Sequence, residues 1–184
     1  MKTANRYHTA LVILHWALAL LILFDLGIAT AVMRNIPNDV PRKLEALRSH
    51  LSGGLLILAL MSARLGLRLT TAVPAHAPTG SHWLDRLAWS SHRGFYVAIF
   101  GMLASGLTMA WQAHLPAVVF AGQGSLPKDF WIYPARYAHL FFARLLMALI
   151  GLHLAGVLYH SFYLKDGLLR RMGFGKRIAV AEPE

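Results

Sequence analysis

Residues 138–164 read AHLFFARLLMALIGLHLAGVLYHSFYL, a stretch in which Arg144 is the one residue of fixed charge and histidines stand at 139, 153 and 160. About 20 apolar residues in a helix cross the ~30 Å hydrocarbon core of a bilayer with every backbone N–H and C=O bonded inside the segment, so this stretch predicts a membrane span. Working outward, the chain holds three more such stretches, at about 9–33, 44–67 and 94–113. Pro37 and Pro41 break the first connection, Pro74 and Pro78 the second, and Pro116, Pro127 and Pro134 the third. The expected fold is all-α: an integral membrane four-helix bundle, one membrane-embedded domain over residues 1–184 with a short basic tail at 165–184.

Composition supports this and excludes several alternatives. Of 184 residues 57% are hydrophobic and 14% charged, and the apolar residues fall in long blocks rather than helical stripes. The chain has no cysteine, which rules out disulfides, thiolate-held iron–sulfur clusters and haem attached through Cys-x-x-Cys-His. The net charge of +10 would suggest nucleic acid in a soluble protein. Here Lys and Arg flank apolar blocks and no nucleic-acid motif is present, so the expected partner is membrane lipid and no nucleic acid is expected. Ala29-Thr30-Ala31 resembles a signal cleavage site, but the apolar block before it is far longer than the ~7–15 residues of a signal core, and it reads as a retained span.

Four spans put both termini on one side. That side carries eleven basic residues (Lys2, Arg6, Arg64, Arg68, Arg86, Arg93, Lys165, Arg170, Arg171, Lys176 and Arg177) against seven on the other. The positive-inside rule therefore places both termini in the cytoplasm, which for a bacterial protein means a multi-pass inner membrane location. The outer face is still basic, since Arg34, Arg42, Lys43, Arg48, Lys128, Arg136 and Arg144 meet only Asp39, Glu45 and Asp129.

Ionisable residues inside a span mark function or a cofactor. Of ten histidines, His8, His76, His82 and His114 lie at helix edges or in connections and read as interfacial. At 1.5 Å per residue, His15 lies ~9 Å from the cytoplasmic end of the first span and His50 a similar distance from the outer end of the second. The fourth span enters from outside, which puts His139 near the outer surface and His153, fourteen residues on, ~21 Å deeper. Depth thus pairs His15 with His153 and His50 with His139. Fourteen residues at ~100° each make nearly four full turns, so His139 and His153 share one helical face. Imidazoles projecting inward from facing helices are how a four-helix bundle grips a haem iron, and two such pairs predict two b haems stacked along the membrane normal. Gly53 and Gly54 after His50, and Gly151 and Gly156 around His153, leave room for flat macrocycles.

The sequence resembles the bacterial cytochrome b561 family over nearly its whole length. The likeness rests on Leu14-His15-Trp16, on Ser49-His50 with the apolar run to Arg64-Leu65-Gly66-Leu67-Arg68, on His92 opening the third helix, and on Gly151-Leu152-His153 leading to His160 and Lys165-Asp166-Gly167. The resemblance implies that His15, His50, His139 and His153 are the axial ligands of two haem b groups, the four that depth also selects. Some members of the family oxidise superoxide and reduce ubiquinone, others are cytochrome subunits of hydrogenases or dehydrogenases, and this chain most resembles the stand-alone, superoxide-oxidising kind. In that setting Arg42, Lys43, Arg48, Lys128 and Arg136 are candidates for steering the small anion to the outer haem. Arg144 would pair with propionates there, and Arg64 and Arg68 with propionates of the inner haem. His160, seven residues beyond His153, and His92 at similar depth are candidates for quinone binding, because quinone reduction takes up two protons with its two electrons.

Asp25, in the middle of the first span, departs from the family pattern, and a buried carboxyl there is either neutral or paired. It fits a proton relay or a bond to a neighbouring helix. A rival of another class is a histidine-lined metal or proton transporter, for which acidic residues within the spans are expected and Asp25 alone qualifies. A second copy of the chain or a redox partner protein beside it is compatible with everything above.

Overall fold

The structure, a computed structural model, describes residues 3–4, 6–75, 77–173 and 179–180. Lys2, His76, Lys176 and Arg177 of the charge and histidine readings lie outside the described residues. The protein is all-α, with four helical segments long and apolar enough to cross a membrane. Helix α1 (Thr9–Gly27) continues through a π-helical turn (Ile28–Met33). Helix α2 spans Pro41–Thr70 and α3 His82–Gln112. A short helix α4 (Leu115–Ala121) follows, then α5 (Pro134–Leu158), which runs into a second π-helical turn (Tyr159–Leu164) and a 3-10 turn (Leu168–Met172). Among the described residues the extended structure is one antiparallel pairing of two-residue strands, β1 (Thr3–Ala4) with β2 (Ala179–Val180).

Local chemistry sets the helix ends. Pro41 and Pro134, expected as breakers, are the first residues of α2 and α5, where proline's missing N–H costs nothing and its fixed φ favours a helix. Helix α3 begins twelve residues before the apolar stretch that starts near residue 94, so His92 lies well inside it instead of opening it. The early start is braced by Asp85, whose Oδ1 accepts bonds from the Thr79 backbone N–H and hydroxyl, both at 2.9 Å. His8 Nδ1 accepts the Ala10 N–H at the start of α1, a capping role consistent with an interfacial histidine.

By packing, the chain divides into two compact units. The first comprises Met1–Leu18, Leu60–Phe95 and Ala148–Glu184. Here the Trp16 indole N–H donates to the Met172 carbonyl at 3.1 Å, the Tyr7 N–H to Arg171 O at 3.3 Å, and the Arg171 guanidinium to Ala75 O at 2.6 Å. Leu11 and Val12 are buried in it. The second comprises Ala19–Ala59 and Tyr96–Met147. Its core gathers Leu47, Ala110, Ala113, Leu115 and Val119. Two connections are tied down there: Arg48 Nε and Nη2 donate to Val119 O at 3.2 and 2.8 Å, and Asn38 Nδ2 donates to Pro127 O at 2.9 Å. The buried Lys43 ammonium caps the end of the first span by donating to the carbonyls of Met33 and Ile36. In both units large apolar side chains such as Leu20, Leu154 and Phe162 point outward, as lipid-facing helices require.

Candidate functional site

In the second unit, α2 carries His50 and α5 carries His139, with ring centroids 6.0 Å apart. In the first unit, α1 carries His15 and α5 carries His153, 6.2 Å apart. An imidazole nitrogen bonds a metal at about 2.0 Å and lies about 1.1 Å from its own ring centroid, so two imidazoles holding one ion end to end sit about 6.2 Å apart. Both pairs have the spacing that a bis-imidazole iron needs.

The surroundings of the second-unit pair fit the same role. A metal-bound histidine normally gives its other N–H to a carbonyl or carboxylate, which fixes the tautomer and turns the free nitrogen to the metal. His139 Nδ1 donates to the Met102 carbonyl at 2.9 Å, and Nε2 has no hydrogen bond among the described residues. Gly106 on α3 lets the His139 ring lie close, because a Cβ there would meet the ring at 3.1 Å. His50 Nδ1 faces Asp25 Oδ1 of α1 at 3.1 Å. Among the described residues neither of those two buried atoms has an aligned hydrogen bond, so the pair is a close polar approach across the two helices. Gly53, one turn after His50, makes space for this carboxyl: a Cβ there would stand 3.0 Å from Asp25 Oδ1. The sequence marked Asp25 and Gly53 separately and gave no sign that they meet.

In the first unit three imidazoles gather. The His92 ring lies 5.9 Å from that of His153, and the Phe95 ring packs edge-on against His153 at 5.7 Å. His92 is exposed and donates Nδ1–H to Ala88 O of its own helix at 2.6 Å, so one nitrogen is held and the other has no hydrogen bond among the described residues. Arg64 lies within electrostatic reach of His15, and the Arg68 guanidinium sits 6.0 Å from the Tyr7 ring centroid. His160 stands in the π-helical turn that ends the fourth span, 7% exposed, and donates Nδ1–H to Asp166 Oδ2 at 2.6 Å. Burial pushes the Asp166 carboxyl up; the hydrogen bonds from His160 and the Leu168 N–H and the charges of His160 and Arg171 outweigh it, holding the carboxyl below its ordinary range. Asp166 is a partner that sequence reading passed over, although its place six residues after His160 was on view.

The basic candidates divide. Arg42, Lys128 and Arg144 are exposed. Arg136 is half-buried, its guanidinium 4.9 Å from the Trp131 ring centroid. Lys43 and Arg48 have their charged ends on backbone carbonyls.

The family model described as prokaryotic cytochrome b561 matches residues 6–175. The chain is also similar to the cytochrome b562 of Cereibacter sphaeroides, 30% identical over 167 residues that cover 86% of this chain and 89% of that protein.

Proposed function

The chain belongs to the prokaryotic cytochrome b561 family, and from that premise we propose that it is a two-haem superoxide:ubiquinone oxidoreductase of the bacterial inner membrane. Membership makes it a multi-pass membrane cytochrome of b type that works in electron transfer. The two-haem part of this reading is supported above all by the two imidazole pairs with 6.2 and 6.0 Å between ring centroids, and the superoxide part by the basic residues described above. His15 with His153, and His50 with His139, would each hold a haem b. Bound there, haem would supply one-electron redox chemistry.

The remaining steps fall to the chain's own side chains. Exposed Arg42 and Lys128, with Arg136, raise the local concentration of a small anion on the face opposite the termini, and Lys43 and Arg48 add to the same field. Arg144, Arg64 and Arg68 would neutralise propionates. His160, held by Asp166, presents its free nitrogen to a quinone and can hand on a proton there; His92, held by Ala88 O, can do the same from α3. The positive-inside bias of Lys and Arg supports termini in the cytoplasm, where those protons are drawn.

Stopped-flow mixing of the pure holoprotein with superoxide tests the reading. Rapid haem reduction that is reversed on adding ubiquinone is the expected result. Haem that stays oxidised until a dehydrogenase or hydrogenase is supplied would instead make the chain a cytochrome subunit of such a complex.

A further inference from the structure

We propose that Asp25 is a positioning residue for His50, holding its Nδ1–H and thereby lowering the reduction potential of the haem shared by His50 and His139. The proposal rests on the haem reading above and goes beyond it, because it makes the two sites electronically unequal. Asp25 lies on α1, 6% exposed, within the most apolar of the four spans. A carboxyl in such a place is costly unless something compensates it. The group facing it is His50 Nδ1 at 3.1 Å, likewise buried; neither atom has an aligned hydrogen bond among the described residues, so each is the polar group placed to satisfy the other. Helix α2 is shaped for the contact. A Cβ at Gly53 would come within 3.0 Å of Asp25 Oδ1 and 3.4 Å of Cγ, whereas at the neighbouring Gly54 the nearest atom, on Leu103, is 3.9 Å away. A side chain at residue 53 would thus crowd the carboxyl, on the turn that follows His50.

The two imidazoles of this pair have unlike partners. His139 gives its Nδ1–H to a neutral backbone carbonyl, that of Met102. An imidazole whose N–H is held by a carboxylate is more basic, gives more electron density to the iron and favours its oxidised form. It is also locked in the tautomer that turns Nε2 to the metal. The carboxylate of Asp25 therefore biases this haem towards passing its electron on.

Redox titration of the haem absorption bands, on purified holoprotein with haem content measured in parallel, tests this in D25N. Asparagine keeps the volume and removes the charge. One of the two titration steps is expected to rise, changing the ratio of reduced to oxidised haem about tenfold at a fixed ambient potential, or about 59 mV for a one-electron couple; the other step stays in place. Both steps unmoved at full haem content would overturn the proposal. If D25N does not carry both haems, G53A decides by the same titration: the added methyl displaces the carboxyl, a smaller rise in the same step upholds the proposal, and unmoved steps overturn it. A native chain without haem would overturn the haem reading itself, and this proposal with it.

Discussion

Asp166 Oδ2 accepts the His160 Nδ1–H while Oδ1 accepts the Leu168 N–H, so one carboxylate both orients an imidazole and closes the turn that follows the fourth span. Its titration is displaced downward, so the paired carboxylate stabilises the fold at every pH above its ordinary value of 3.8, and that contribution is lost as the pH falls through the lower, folded value. The melting temperature of D166N is expected to lie below that of the native chain at pH 6, with the gap closing as the pH approaches 3. If the chain reduces ubiquinone beside His160, as proposed, the same variant is expected to do so more slowly at unchanged haem content, because His160 loses the partner that fixes its tautomer. At this scale the histidine pairs were legible in the sequence, since depth in a helix is residue number multiplied by rise. The partners of those histidines were not. Asp25 meets His50 across two helices, and Met102 offers His139 a backbone carbonyl that every residue possesses.

Helix contacts in lipid depend on close packing of small residues, because burying apolar surface gains little when the solvent is itself apolar. Gly101 of α3 shows how tight one such contact is: a Cβ there would stand 2.5 Å from the Phe142 ring of α5. G101A forces that ring aside, and a loss of about 1–3 kcal/mol is expected from overpacking, read as a lower melting temperature in detergent. Gly94, where a Cβ would meet Leu149 at 3.3 Å, should tolerate alanine better, because the branched end of a leucine gives way more easily than a ring. Hydropathy made the four spans readable, and the first agrees in bounds with its helical segment, Thr9–Met33. It could not show where α3 begins, because Asp85, Arg86, His92 and Arg93 interrupt the apolar content of residues 82–93, and the start is braced by hydrogen bonds between Thr79 and Asp85. Helix α4 was hidden for a related reason: Pro116, read as a breaker, stands in its first turn. The π-helical turns at Ile28–Met33 and Tyr159–Leu164 have no signature in apolar spacing.

For the molecule as a whole, the balance of 18 basic against 8 acidic residues is the property with a kinetic consequence. Attraction of a small anion by such a field is screened over about 10 Å at 0.1 M salt. If superoxide is the donor, its rate of reaction is expected to fall on the order of tenfold from low to high ionic strength. The double charge reversal R42E/K128E should lower the low-salt rate and flatten that dependence, as followed by stopped-flow. Charge and membership of a membrane family could be read from composition and motifs. The redox partners could not, because an electron donor or acceptor leaves no mark on hydropathy. The most direct measurement is haem content per chain, by extracted pigment and reduced-minus-oxidised spectra, in the native protein, H50A and H153A. Two haems in the native chain and one in each variant, with a different component of the spectrum lost in each, is the expected result; pigment and spectrum unchanged in both variants would contradict ligation by these helices.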